Sequence, residues 1–220
     1  MKTSVYPPKP VPGDRIAVIS PSSGLPGVLP LPYELGLRRL REDFGLEPVE
    51  YPATRRMGST PQERADDIHA AFADPTVKAV MASIGGSDQI TVLPLLDREL
   101  IRAHPKPFFG TSDNTNLLMF LRNLGLVGYH GACLMTELGR PYALHPMSAD
   151  SVRAALFTSG PYELRAAERF GDTDRDWAGT PRLSASSGTR SPPTGGSGTG
   201  PSGSSRAPPG AATSKSCPGC

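Results

Sequence analysis

The hexapeptide Gly110-Thr111-Ser112-Asp113-Asn114-Thr115 follows two phenylalanines at the end of an apolar run. A serine at a sharp strand-to-helix turn is exposed, and the helix start beside it offers backbone N–H groups to a developing oxyanion. Gly110 permits the tight backbone such a turn needs. The full G-x-S-x-G spacing is absent, because Asn114 stands where the last glycine would be. Serine, aspartate and asparagine at a helix start are also ordinary caps. Local chemistry therefore leaves two readings of Ser112, nucleophile and cap. Gly85-Gly86 closes a second apolar run, where chain without Cβ atoms can turn its N–H groups toward a neighbouring strand end. A tight turn before a helix explains that pair equally well.

A serine nucleophile needs a base. The histidines are His69, His104, His130 and His145. His69 lies in a helical stretch and is expected to face solvent. His104 sits in a proline-flanked loop and His145 in another loop. His130 ends a strand. None makes an obvious pair with Ser112, and each reads as structural or surface. Cys133 stands alone in an apolar run, and the terminal Cys217-Pro-Gly-Cys220 has the spacing of a redox or metal pair. It has no strand before it, no helix after it and no second ligand pair, so a functional reading is not favoured.

The elements that must position these residues follow from periodicity. Short strands are expected over 15–20, 47–51, 77–86, 106–110 and 126–131. Leu35, Leu37, Leu40 and Phe44 give helical spacing over 32–44. Thr60, Pro61 and Glu63 form a helix start of the capping-box type, with Ala65, Ile68, Ala71 and Phe72 as its apolar face and Asp74-Pro75 as its stop. Residues 87–96 read as a helix blemished by Pro94. Residues 114–124 read as an amphipathic helix closed by Gly125, and 148–157 as a helix capped by Ser148. Strands alternating with helices predict an α/β fold: a layered, mostly parallel sheet flanked by helices. Ligands bind beyond the carboxyl ends of such strands, where Gly85-Gly86 and Thr111-Ser112 fall.

The 220 residues suffice for one domain with a full core, or for one and a part. The formal net charge of +2 gives no reason to expect a nucleic acid partner. No run approaches the roughly 20 apolar residues of a membrane span, and the N-terminus lacks the apolar centre of a signal peptide. A cytoplasmic chain with no membrane partner is expected. Composition changes abruptly after Ala178. No acid and no aromatic occurs beyond that point, and Leu183 is its only large aliphatic residue. Such a segment cannot bury enough apolar area to offset its ordering entropy, so residues 179–220 are expected to form a disordered Gly/Ser/Pro-rich tail behind a domain over 1–178.

The runs SIGGSDQITVLPLLD and FFGTSDNTNLLMFLRNLGLVGYHGACLM together resemble the LD-carboxypeptidase family of serine peptidases, in particular its microcin C self-immunity branch. KPVPGDRIAVISPSS and the stretch from Met57 to Gly86 are similar to the same family, so the likeness covers roughly residues 8–178. The resemblance implies that Ser112 is the nucleophile of a G-x-S-D-x-T motif. It implies the backbone N–H groups of Gly86 and Asp113 as oxyanion donors, with Gly85 and Thr111 against the substrate. It further implies hydrolysis of an amide next to a free carboxylate, in a murein tetrapeptide or an aminoacyl-nucleotide, without metal or organic cofactor, and leaves room for a homodimer. The glutamate and histidine of the family's triad come from a second domain, and residues 179–220 contain neither. Shifting the codons of 205–220 back by one base permits a W-G-G-N-L-like run that resembles the start of that domain. A frameshift or truncation is therefore expected, with an inactive product. The alternatives are a small-carboxylate binding module and a non-functional product.

Overall fold

A computed structural model describes residues 4–167 and 177–178. The expected tail over 179–220, which would begin beyond a boundary at 178, and the Cys217–Cys220 pair lie outside the described residues. Five parallel strands form one sheet: β1 (Arg15–Ile19), β2 (Glu47–Glu50), β3 (Val77–Ala82), β4 (Phe108–Gly110) and β5 (Tyr129–His130). Their spatial order is β2-β1-β3-β4-β5. The chain reverses its winding direction between β1 and β3, the switch point where open α/β sheets leave a crevice.

The pleat sends alternate side chains to opposite faces, and both faces are covered. Ala17, Ile19, Val80, Ala82 and Phe108 pack beneath α2 (Pro61–Ala73), α3 (Arg98–Ala103) and α4 (Thr115–Asn123). Ile16, Val18, Ala79, Met81 and Phe109 face α1 (Pro30–Glu42), a π-helical turn over Leu134–Leu138 and α5 (Pro146–Phe157). Phe108 and Phe109 thus serve two cores, and both are fully buried. The expected layered α/β architecture is present. Among the described residues no helix is long and apolar enough to cross a membrane.

Several boundaries differ from those read in the sequence. Residues 87–96 form no α-helix. They make two 3-10 turns, Gln89–Thr91 and Leu93–Leu95, because Pro94 has no N–H to continue an α-helical ladder. A short helix that the apolar pattern did not announce, α3, follows, and the Asp97 carboxylate caps it by accepting from the N–H groups of Glu99 and Leu100. β3 ends at Ala82, β4 begins at Phe108 and β5 keeps two residues, while Leu126 instead bridges Val5. Helix α5 begins at Pro146, with His145 rather than Ser148 at the cap position. Proline's fixed φ suits the first helical position, so the helix starts two residues earlier than the serine indicated.

Candidate active site

β4 stops at Gly110, and Thr111 continues it in extended backbone. Ser112 then turns to φ 57°, and a 3-10 turn over Ser112–Asn114 leads into α4. The left-handed region costs a serine roughly 1 kcal/mol, and such strain persists only where the surroundings impose it. The Ser112 side chain is exposed, and among the described residues its Oγ makes no hydrogen bond. The cap position belongs to Thr111, whose side chain makes no cap bond either. Ser112 is thus not a cap of this helix: its backbone lies inside the turn, and its hydroxyl bonds none of the helix amides.

Two glycines make room for this turn. A Cβ on Gly110 would stand 2.7 Å from Asn114 Cβ. A Cβ on Gly85 would stand 2.9 Å from Ser112 Cβ, 3.1 Å from its Oγ and 3.5 Å from the Asp113 nitrogen. The double glycine therefore lies directly against the serine, with Gly85 as the contact. Gly86 faces elsewhere: its Cβ would meet Ser22 Oγ at 2.2 Å and Ser23 Cβ at 3.2 Å. Among the described residues the N–H groups of Gly86 and Asp113 donate to no protein acceptor.

The strand ends are tied together by buried polar groups. Asp113 Oδ2 accepts from Ser22 Oγ, in the loop after β1, and from the Gln89 N–H at 2.9 Å, in the loop after β3. Its Oδ1 accepts from Asn116 Nδ2 at 3.0 Å. One carboxylate thus joins three segments around Ser112. Asn114 is fully buried, donates to Ile84 O at 3.1 Å and to Thr111 O at 3.0 Å, and accepts from Gln89 Nε2 at 2.8 Å. Gln89 Oε1 in turn accepts from the Leu117 N–H at 3.0 Å. Thr111 donates both its N–H and its hydroxyl to Cys133 Sγ, each at 3.2 Å. Burial pushes the Cys133 thiol up, so it remains a neutral partner.

A second brace lies one layer out. Arg64, 3 % exposed, places Nη1 2.8 Å and Nη2 2.9 Å from the two oxygens of Asp88 and donates from Nη1 to Ser22 O at 2.7 Å. The Arg64 hydrogen bonds hold the Asp88 carboxyl below its usual range. Sequence reasoning missed Ser22, Arg64, Asp88 and Gln89 as parts of the site. Ser22 stands in the run Pro21-Ser22-Ser23-Gly24 after β1 and Arg64 inside α2, and neither carries a local signal for chemistry.

Among the described residues no histidine hydrogen-bonds the serine. His130 pairs in register with Gly110, yet no hydrogen bond joins it to Ser112 among the described residues. His69 does not simply face solvent: it is half-buried, and its Nε2 accepts from the Asp97 N–H at 2.8 Å. That bond joins α2 to the start of α3 and has no part in the site.

A model of the LD-carboxypeptidase N-terminal domain matches residues 16–131, from β1 through β5. A Bacillus subtilis protein named "Probable murein peptide carboxypeptidase" is 35% identical over 147 residues, covering 64% of this chain and 44% of the relative. The crystal structure of an MccF-like protein from Bacillus anthracis superposes with a TM-score of 0.71 at 30% identity, covering 80% of this chain and 53% of that one. The microcin C7 self-immunity protein MccF in complex with aspartyl sulfamoyl adenosine superposes at 0.75, covering 85% and 57%, but at 24% identity it speaks for the fold alone. The chain spans about half the length of the curated relatives it matches. The strained serine against a double glycine, the parallel sheet beneath it and the match across all five strands lead to one assignment: the chain belongs to the LD-carboxypeptidase family.

Proposed function

We propose that these residues form the nucleophile-bearing half of a serine carboxypeptidase-type hydrolase. The observation that carries this reading is Ser112 itself, held at positive φ, exposed and unbonded, where an ordinary helix start would be capped. In the reaction, Ser112 Oγ attacks the carbonyl of an amide next to a free carboxylate. Its proton passes to a base, the carbonyl oxygen becomes an oxyanion, and the C–N bond breaks as the amine leaves with that proton; water, giving a proton to the same base, then cleaves the acyl-serine ester, releases the acid and restores Ser112. The N–H groups of Asp113 and Gly86 are the proposed donors to that oxyanion, and both lack protein acceptors among the described residues. Gly85 and Thr111 would border the reacting carbonyl, Gly85 through its contact with Ser112. The substrate is a murein-type peptide cut at its L–D bond, which the name of one relative supports, or an aminoacyl-nucleotide, in keeping with the likeness to a microcin C7 self-immunity protein.

Among the described residues no side chain hydrogen-bonds Ser112 as a base. The 220-residue chain alone should therefore turn over slowly, since removing the base of a serine triad costs on the order of 10⁶-fold. Incubation of the purified chain with an L–D tetrapeptide and with aspartyl sulfamoyl adenosine tests both parts. Slow release that disappears in Ser112→Ala supports the reading. Release unaffected by that substitution removes the serine, and fast Ser112-dependent release removes the need for an external base.

The same unbonded N–H groups favour a second reading, a module that binds small carboxylates without cleaving them. Calorimetry with the tetrapeptide separates the two. Heat of binding that Gly86→Ala abolishes, with no turnover, supports the module, because the added methyl would collide with Ser22.

A further inference from the structure

Ser22 lies in the loop after β1, and Asp113 lies in the turn after β4. β3 runs between those two strands. Neighbouring strands stand about 4.8 Å apart, so the bond from Ser22 Oγ to Asp113 Oδ2 has to cross the end of β3. Gly86 is the residue it crosses: a Cβ there would meet Ser22 Oγ first and Ser22 Cβ next, at 3.1 Å. Gly86 is not among the glycines at positive φ, so left-handed backbone is not what calls for a glycine. The side chain is missing for space, and the Ser22 hydroxyl occupies that space.

Ser22 itself is clamped. It is 6 % exposed, and its carbonyl accepts from Arg64 Nη1 at 2.7 Å. The same guanidinium holds Asp88, two residues after Gly86, so one buried cation ties the loops after β1 and β3. The Ser22 hydroxyl then touches both residues whose N–H groups are the proposed oxyanion donors, Gly86 at its Cα and Asp113 at its carboxylate. A carboxylate one residue past the nucleophile opposes negative charge forming at its own N–H. Ser22, Gln89 and Asn116 donate to that carboxylate, hold it in place and share its charge.

Resting on the hydrolase reading above, we infer that Ser22 is a positioning residue for the reaction: its hydroxyl is the spacer that sets the Gly86 and Asp113 N–H groups at the separation an oxyanion needs. It acts through those two residues and not on the substrate. Without the hydroxyl, the loop after β3 and the turn after β4 can shift against each other, and the two donors lose their convergence. The loss falls on the tetrahedral state, whose oxygen carries the charge, and spares the neutral carbonyl.

The test uses the full 220-residue chain and needs no turnover. Hydrolysis lost in Ser112→Ala is read separately and decides the hydrolase reading, whichever way this test falls. The probe is an N-acetylated aminoboronic acid. Ser112 Oγ gives an electron pair to boron, its proton passes to water, and the tetrahedral boronate sets an anionic oxygen where the oxyanion would form. The matching N-acetylated amino-acid amide reports the neutral carbonyl. Boron NMR reads the tetrahedral adduct, and titration reads both affinities. Ser22→Ala is expected to weaken the boronate about tenfold, less than the roughly hundredfold or more that follows loss of a whole donor. It should leave the amide within about twofold. Gly86→Ala should weaken the boronate further, and adding Ser22→Gly should recover about fivefold of that loss by opening the space the methyl needs. The Gly86 variants keep the test decisive if Ser22→Ala unfolds. Equal weakening of boronate and amide, an unmoved boronate, a Gly86→Ala loss that Ser22→Gly does not relieve, or a boronate left trigonal by the parent chain would each overturn the inference.

Discussion

Helices α2 and α4 begin in opposite ways. At α2 the Thr60 hydroxyl accepts from the Glu63 N–H at 3.3 Å, and the Glu63 carboxylate accepts from the Thr60 N–H at 2.8 Å. Pro61 fills the first helical position and has no N–H to satisfy. The start is closed by its own residues. At α4 neither Thr111 nor Asn114 makes a side-chain cap bond, and Ser112 sits in a strained backbone. The polar side chains that could have capped it are turned away, Asp113 to Ser22 and Gln89 and Asn114 to Ile84 and Gln89. A helix start built for stability spends its side chains on its own amides. One built for chemistry leaves the Asp113 amide open and is held from outside by neighbouring loops, with Gln89 Oε1 taking the Leu117 N–H.

The comparison can be broken at its external support first. Asn114→Leu keeps the branching and heavy-atom count but strands Gln89 Nε2 and removes the donors to two part-buried carbonyls. A loss of about 3 kcal/mol in urea unfolding is expected, and a loss below 1 would mean that the open start does not depend on this network. The closed helix carries an electrostatic cost of its own one turn further on. Burial pushes Asp67 up to about 6, against the opposing hydrogen bond from the Ala53 N–H. Between about pH 4 and 6 the folded chain then binds more protons than the unfolded one. Stability should fall by about 3 kcal/mol as pH rises through that window and level off above it. Asp67→Asn should flatten this slope in urea midpoints measured across it.

The last two substitutions set the helix starts against each other. Thr60→Ala removes the hydroxyl half of the box and should cost about 1 kcal/mol. Ser112→Gly should instead stabilise the chain by about 0.5 kcal/mol, because relief of left-handed strain slightly exceeds the extra freedom of the unfolded glycine. Thermal or urea unfolding reads both, and equal signs would erase the distinction between a start made for stability and one made for chemistry.

Much of this frame was legible before any coordinates. The apolar runs around Ile16–Ile19, Val77–Ala82 and Phe108–Phe109 announce strands because burial on both faces of a parallel sheet demands continuous apolar side chains. The α2 start is legible because all its partners lie within three residues of one another. Residues 87–96 misled, since apolar spacing alone does not register that Pro94 cannot donate. Ser148 misled because Pro146 had a stronger claim on the helix start.

By itself, then, the sequence determined where along the chain the five strands fall, which helix caps itself, and that Ser112 stands at a strand end before a helix. Those are local matters, decided by side-chain period and by hydrogen bonds a few residues long. Only the tertiary structure decided that Ser112 is strained and uncapped, that Gly85 rather than Gly86 touches it, and that Asp113 binds Ser22 across 91 residues of chain. These facts depend on which strand ends lie side by side, and that order, β2-β1-β3-β4-β5, is set by the packing of the whole sheet.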